Sequence, residues 1–253
     1  MLQTKITYWL LVVVMPVISA TSLFAQQDNS PVFGFEVRPI IPSSLFRTGS
    51  SESSIGETHF TIGQTPGYVF GAVVNARIYK NLEMETGICF TQRNFSMVIS
   101  EESFTGTSSF RIIGYEIPVS ALVSIPLTES FRMNNSLGVA LDAFPSDIAT
   151  SGTYYLQEAV RMHYIIPALI ANSGIKYTTY QSGAFYLGAS YHLPFSNIYT
   201  NSAEYTLSAD KPILYSPLRG NYFTVDIKYF FPYHKPPPKK KKNKFGGTND
   251  LQN

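Results

Sequence analysis

The sequence has few charged residues, a single cysteine, and no long apolar run after its first 25 residues. Asp, Glu, Lys and Arg make up 14% of its 253 residues, whereas an average globular domain contains about 25%. So little charge argues against a water-exposed surface around the whole chain. The only cysteine, Cys89, excludes an intrachain disulfide. Without a later run of roughly 20 apolar residues, an α-helical membrane bundle is not expected.

The formal net charge of +2 hides an uneven distribution of charge. Of the 19 Lys and Arg residues, six lie after residue 234 and one is Lys5, which leaves 12 between them. Setting Asp250 aside leaves 16 of the 17 acidic residues, so the region without the two ends carries about −4. This balance argues against a basic nucleic-acid-binding domain, and we predict no nucleic-acid partner.

Both ends of the chain differ in composition from its middle. Residues 1–25 predict a secretory signal peptide, because Lys5 precedes an apolar core and a plausible cleavage site lies before Gln26. Residues 26–32 form a short N-terminal lead. Residues 232–253 predict a disordered periplasmic tail, since proline and lysine runs cannot bury a core. The tail either contacts an anionic partner or is a solvated extension.

Eight segments of alternating apolar and polar residues lie within residues 33–231, and the gaps between them alternate long and short. In the last segment, for example, Val225 and Ile227 alternate with Asp226 and Lys228. Such alternation is typical of strands with two different faces. Long loops at one rim and tight turns at the other are typical of small membrane barrels. The sequence therefore predicts an all-β fold, an eight-stranded antiparallel up-and-down transmembrane β-barrel.

The long gaps are rich in Ser, Thr, Gly, Asn and Pro, which suits solvated loops. An even number of strands puts both termini beside the short turns, on the periplasmic side of a bacterial outer membrane. We therefore expect the loops to face outward and to form the binding surface, above all residues 41–66 and 194–220. The other two long gaps cover residues 100–110 and 144–158. Among the eight segments, the sixth is the least regular and covers residues 160–177.

The polar face of the segments consists mostly of Gly, Ser, Thr and Ala, with a few charges of both signs. A soluble lipocalin-like periplasmic barrel, the alternative, would present many Lys and Glu residues to water. Small residues and compensating charges suit a narrow lumen that its own side chains fill. Because buried charges need partners, we expect a lumen charge network. Its predicted members are Glu36, Arg38, Arg77, Glu83, Glu85, Glu116, Asp142, Asp226 and Lys228.

Three features resemble the PorT-like outer-membrane β-barrel family: a signal ending in Phe-Ala-Gln, the strand opening Tyr115-Glu116-Ile117-Pro118, and an aromatic-ended last strand. The resemblance covers residues 33–231 and implies an outer-membrane location, with an accessory role in envelope transport or secretion. A closing strand that ends in Phe231 resembles the signal read by the barrel-insertion machinery, although here a tail follows it. The implied partners are outer-membrane lipid, the insertion machinery, and an envelope protein that contacts the loops or the basic tail.

The sequence contains no pattern that indicates catalysis. Ser190 and His192 share one face of a predicted strand, but that face is the predicted lumen and no orienting acid is specified. Glu83 and Glu85 point the same way without a substrate cleft beside them. We therefore predict a non-enzymatic protein with no cofactor and no metal. A small pore and an outer-membrane lipid-modifying enzyme remain alternatives.

Overall fold

The computed structural model describes residues 30–43, 48, 51–55, 58–101, 104–151, 155–205 and 213–232. The predicted signal peptide, most of the N-terminal lead and nearly all of the predicted tail lie outside the described residues. Over the described ranges the chain forms 13 β-strands. No helix long and apolar enough to cross a membrane occurs in this part of the chain.

The strands range from 4 to 23 residues in length. They are β1 Val32–Ile41, β2 Ser51–Ile55, β3 Thr58–Tyr79, β4 Leu82–Glu101, β5 Phe104–Pro126, β6 Phe131–Ala143, β7 Ile148–Ser151, β8 Tyr155–Arg161, β9 Ile165–Thr178, β10 Ala184–Pro194, β11 Tyr199–Tyr205, β12 Ile213–Leu218 and β13 Tyr222–Phe230.

Eight of these strands pair in an unbroken antiparallel series. The order is β1-β13-β10-β9-β6-β5-β4-β3, and β3 in turn pairs with β1, so the pairings lead back to the first strand. We call these eight the ring strands. They contain most of each predicted alternating segment, in the predicted order. Short turns join them at one end, where Gly183 adopts a φ of 83° that side chains larger than hydrogen strongly disfavour.

The other five strands lie in the gaps that we predicted to be loops, and this prediction was incomplete. β2 pairs with the outer end of β3, while β7, β8, β11 and β12 form a separate four-stranded sheet. The predicted sixth segment is also wrong at its start, because Val160 belongs to β8 in that second sheet and β9 begins at Ile165. These gaps contain Thr and Tyr, which are enriched in strands, beside the Ser, Gly, Asn and Pro that are typical of loops, so composition did not separate the two.

The ring strands β3, β4 and β5 have 20 to 23 residues, about twice what is needed to cross a membrane. Their outer ends project beyond the other ring strands and pack against the four-stranded sheet. We call this outer part the cap. It consists of β2, β7, β8, β11 and β12 together with residues 58–65, 94–101 and 104–112.

The cap has its own apolar core, in which the projecting ends of β3, β4 and β5 pack against the four-stranded sheet. Phe95 and Phe110 stack with their ring centroids 5.3 Å apart, and Phe144 meets Tyr199 edge-on at 5.6 Å. The Tyr199 hydroxyl donates to the Ser146 carbonyl at 2.6 Å. Burial, followed by the nearby Asp147 carboxylate, raises the pKa of Tyr199 to about 12. Other buried members of this core include Phe60, Ile62, Met97, Ile99, Ile112, Ile166, Ile198 and Leu218.

Over the remaining length of the ring strands, the apolar stripe faces outward and the polar stripe faces inward, as the alternation predicts. Leu137, Leu187 and Ile227 are more than half exposed, whereas Glu116 and Asp226 are fully buried. An apolar belt with a polar interior is the arrangement of transmembrane barrels and the reverse of a soluble barrel. It surrounds the ring below the cap.

Two irregularities in the β3–β4 pairing change which residues of β3 point inward. The register shifts between Thr65 and Tyr68, and again between Arg77 and Tyr79. Ile62 and Val69 are both buried although they are seven positions apart, which strict alternation forbids. A β-bulge inserts one unpaired residue and reverses the phase. Because of this extra residue, the inward-pointing side chains of β3 are the even-numbered ones in the cap and the odd-numbered ones in the ring.

Candidate functional site: a charged interior beneath the cap

The structure places the nine predicted network residues on six ring strands. Glu36 and Arg38 lie on β1, and the remaining members lie on β3, β4, β5, β6 and β13. All are buried or half-buried except Arg77, whose side chain is 50% exposed. Arg77 lies just before the second register shift, at the short-turn rim and outside the interior proper.

A continuous series of charged contacts crosses the interior below the cap. Arg38 Nη2 donates to Glu116 Oε1 at 2.7 Å. The His192 ring lies between the two carboxylates, with Nδ1 3.3 Å from Glu116 Oε2 and Nε2 2.9 Å from Asp142 Oδ2. Arg93 Nη2 donates to the same Asp142 oxygen at 2.7 Å. We call these five residues the central chain.

Tyr222 completes this layer from the opposite side of the ring. Its hydroxyl donates a short hydrogen bond to Glu116, which joins β13 to β5, four strands away in the pairing order. Its ring stacks on His192 at 4.5 Å between centroids, and the Arg93 guanidinium lies 4.7 Å from the same ring. Because side chains from opposite walls touch, the interior is filled at this level.

A second group of charges lies on the short-turn side of the central chain. Lys228 Nζ contacts Glu36 Oε2 at 3.3 Å and Glu85 Oε1 in a shorter contact. Glu36 also accepts a hydrogen bond from the Cys89 thiol at 2.9 Å. Each of these carboxylates therefore has a cation or a donor beside it, as buried charges require.

Asp226 is the predicted member that relies on neutral donors. The Asn172 amide donates to it at 2.7 Å, the Thr224 hydroxyl donates at 2.5 Å, and the Ser190 hydroxyl donates in a shorter bond. The Tyr186 hydroxyl donates to Asn172 at 2.5 Å. Ser190 is thus engaged by Asp226 and not by His192, so these contacts do not form a nucleophile–base pair.

Glu83 ends the series of contacts at the short-turn rim. Its two oxygens lie 3.8 Å from Arg77 Nη2 and 3.6 Å from Lys176 Nζ. The Lys176 ammonium in turn lies 4.8 Å from the centroid of the Phe230 ring. The interior is therefore bounded by ion pairs at both ends: those of Glu83 at the short-turn rim, and that of Arg93 with Asp142 beneath the cap.

Little empty space remains between these groups. The cavity found inside the ring has a volume of about 20 Å³ and is lined by Glu36, Arg38 and Lys228 among others. Such a volume accommodates about one water molecule. Ligand sites typically enclose roughly 300–1,000 Å³, so this cavity is too small to hold a substrate.

Sequence reasoning left four side chains of this site out of the predicted network: Arg93, Lys176, His192 and Tyr222. Arg93 was missed because the alternation of the third predicted segment was followed only as far as Phe90. Arg93 lies on the same inward stripe as Cys89 and Glu85, at even spacing. Continuing the alternation through Gln92 and Asn94 would have identified it.

Glu116, Asp142 and His192 have metal-ligand side chains, and one ligand atom of each lies within 4.8 Å of the others. However, guanidinium groups of Arg38 and Arg93 already contact the two carboxylates at 2.7 Å. A metal cation here would be repelled by two fixed positive charges. The geometry therefore supports an ion-paired structural layer in preference to a metal centre.

The end of the last ring strand differs slightly from the prediction. β13 ends at Phe230, which is buried, and Phe231 lies just beyond it with half of its side chain exposed. The backbone N–H of Phe231 still donates to the Phe33 carbonyl at 2.8 Å. The first and last ring strands therefore meet at the short-turn end.

No family model matches the sequence, and no curated protein matches it. The structure is similar to that of the outer membrane protein OprG from Pseudomonas aeruginosa, with 13% identity and a TM-score of 0.53 over 79% of this chain and 95% of that one. It also matches the outer membrane protease OmpT from Escherichia coli, at 7% identity and a TM-score of 0.33 over 81% and 97% of the two chains. The second score is too low to support any inference. At 13% identity the first likeness concerns the fold alone: this chain has an all-β fold of the outer-membrane β-barrel type.

Proposed function

We propose that this chain is an outer-membrane protein of a Gram-negative bacterium, in which a closed, plugged eight-stranded barrel carries a non-enzymatic binding cap. Both termini would lie in the periplasm, and the cap would face outward. The single observation that carries the proposal is the central chain, which fills the interior from wall to wall. An accessory role in envelope transport or secretion, as the PorT-like resemblance implies, would be exercised through the cap.

Three features support the membrane location. Apolar side chains surround the ring below the cap, and many are more than 40% exposed, as Phe35, Leu137 and Leu187 are. Aromatic side chains cluster on this outer surface, for example Phe70 and Phe90 at 5.2 Å between centroids. Both features suit a lipid-facing belt. The meeting of β1 and β13 beside the short turns supports termini on the periplasmic side.

The cap supports a binding role because strand edges beside a cleft in it are left open. Among the described residues, β7 pairs with β8 alone, and residues 104–114 of β5 pair with β4 alone. A cleft of about 620 Å³ between them is lined by Phe110, Arg111 and Ile148 among others. Open strand edges are common places for a partner's strand to add.

The central chain supports a barrel that does not conduct, and planar bilayer recordings test this. We expect the purified wild-type chain to give no discrete conductance steps. The double variant Arg93→Ala/Asp142→Ala removes one end of the central chain and is expected to give small, frequent openings. A general porin in the same bilayers checks the method, and heat-modifiable mobility on gels checks that both proteins are folded.

Discrete steps from the wild-type chain would contradict the plugged barrel and favour the pore alternative. Recovery of the chain in the soluble periplasmic fraction would contradict the membrane location itself. The two results separate the parts of the proposal, because a pore requires the membrane and a soluble barrel does not.

A further inference from the structure

A second cleft opens on the outer surface where the ring meets the cap. The pairing of β10 with β13 ends at His192 and Tyr222, but β10 continues through Leu193 to Pro194, paired there with β9 alone. Residues 219–221, which precede β13, do not pair with β10. A cleft of about 850 Å³ lies between these two segments.

One wall of the cleft is apolar and continues the outer belt of the ring. Phe195, Met162 and Leu193 line it, and their exposed fractions are 63%, 47% and 40%. The Phe195 backbone N–H donates to the Pro167 carbonyl at 3.0 Å, and the Met162 N–H donates to the Ile198 carbonyl at 3.0 Å. These bonds hold the apolar side chains on a fixed backbone. The wall is therefore built to accept a hydrocarbon chain.

The other wall is polar and carries the one charged side chain among the lining residues, Arg219. Asn221 lies next to it and donates to the Tyr191 hydroxyl at 3.1 Å. Arg219 itself is exposed. A guanidinium group binds phosphate oxygens in a charge-assisted, bidentate manner. The cleft thus combines an apolar surface with a phosphate-binding cation.

We propose that this cleft binds one molecule of the anionic, phosphorylated glycolipid of the outer leaflet, of the lipid A type. An acyl chain lies against Phe195 and Met162, and a phosphate contacts Arg219. The occupant follows from the position of the cleft: it begins where the apolar belt ends, which is the level of lipid headgroups in the proposed outer membrane. The inference rests on the proposed location but not on the absence of conductance.

Native mass spectrometry of the full-length chain in detergent tests the inference with a matched pair of ligands. Lipid A and its fully dephosphorylated form carry the same acyl chains. We expect one lipid A to be retained, and the dephosphorylated form to bind at least about tenfold more weakly. A simple fatty acid serves as a third ligand, and we expect it to bind more weakly than lipid A because it has a single acyl chain and no phosphate.

Two variants locate the binding site. Arg219→Glu is expected to weaken lipid A retention by about tenfold or more, because it replaces the phosphate-binding cation by a repelling anion. The control is Lys80→Glu, which reverses an exposed cation in the turn between β3 and β4, at the opposite end of the ring, and should leave retention unchanged. Phe195→Ser is expected to weaken retention of both lipid A forms equally.

The inference is overturned if Arg219→Glu and Lys80→Glu weaken retention equally, since binding would then be non-specific electrostatics. It is also overturned if the dephosphorylated lipid or the fatty acid binds as well as lipid A. Cell fractionation keeps this failure separate from failure of the proposed function. A chain that fractionates with the outer membrane but retains no lipid A contradicts the glycolipid site alone.

Discussion

The ring below the cap and the cap itself bury opposite kinds of side chain, although the same strands build both. Along the inward stripe of β4, the ring portion contributes Glu85, Cys89 and Arg93, and the cap portion contributes Phe95 and Met97. The outward stripe changes in the opposite sense. It runs from Ile88 and Phe90 to Gln92, Asn94 and Ser96.

One strand can therefore carry its apolar side chains on opposite faces along its length. Which face is apolar at each level matches what surrounds the sheet there. A strand bathed in lipid places hydrocarbon outward and must satisfy its polar groups inside. A strand bathed in water does the reverse. The reversal in β4 falls between Arg93 and Phe95, so that level marks the outer edge of the proposed membrane belt.

Arg93 lies at this boundary, and its replacement should produce the largest effect on the ring. Arg93→Ala leaves the buried Asp142 carboxylate without its guanidinium partner, which should reduce the free energy of unfolding by about 3–5 kcal/mol. Urea unfolding of the full chain in lipid vesicles measures this change. In the double variant Arg93→Ala/Asp142→Ala the loss should be smaller than the sum of the single losses.

Arg111→Ala is the matched control, because Arg111 is an exposed arginine in the cap, and we expect a change of less than about 0.5 kcal/mol. If Arg93→Ala unfolds like the wild type, the central chain does not stabilise the ring. The charged side chains inside the ring would then contribute nothing measurable to the free energy of unfolding.

Phe95 lies two residues further along the same stripe, and its replacement should affect the cap instead. Phe95→Ala removes a fully buried ring from the apolar core, and similar substitutions cost about 3–5 kcal/mol. We expect this loss to appear as local opening, with faster amide hydrogen exchange in β11 and β12. Exchange at the short-turn ends of β6 and β9, away from the cap, should not change.

Ser96→Ala, on the outward face beside Phe95, is the control for this variant and should leave exchange unchanged. Faster exchange throughout the ring in Phe95→Ala would contradict an energetically separate cap. The two parts would then unfold as one unit.

The ring was predictable because strands with two different environments show strict alternation. β13 is the clearest case: Thr224, Asp226 and Lys228 face inward and Ile227 faces outward, as the sequence indicates. The carboxylates of the predicted network were assigned in the same way, since each occupies the polar phase of its segment.

The cap was not predictable by the same reasoning. The bulge at Pro66 and Gly67 reverses the phase of β3, so a single period cannot be followed through it. In β4 the apolar phase itself changes sides near Arg93, so the alternation could be followed only as far as Phe90. Side-chain pairing across the interior, such as Tyr222 with Glu116, depends on the ring order and cannot be inferred from one strand.

Arginine substitutions on the outward face give the smallest expected loss and test the boundary directly. Leu137 on β6 is 60% exposed and lies within the apolar belt, whereas Ser96 lies on the outward face of β4 in the cap. In lipid vesicles, Leu137→Arg should cost about 2–4 kcal/mol, because a charge near the bilayer midplane is poorly solvated. Ser96→Arg should change the free energy of unfolding by less than about 0.5 kcal/mol. If both substitutions are equally neutral, the belt faces water, and the soluble barrel becomes the better interpretation of the same strands.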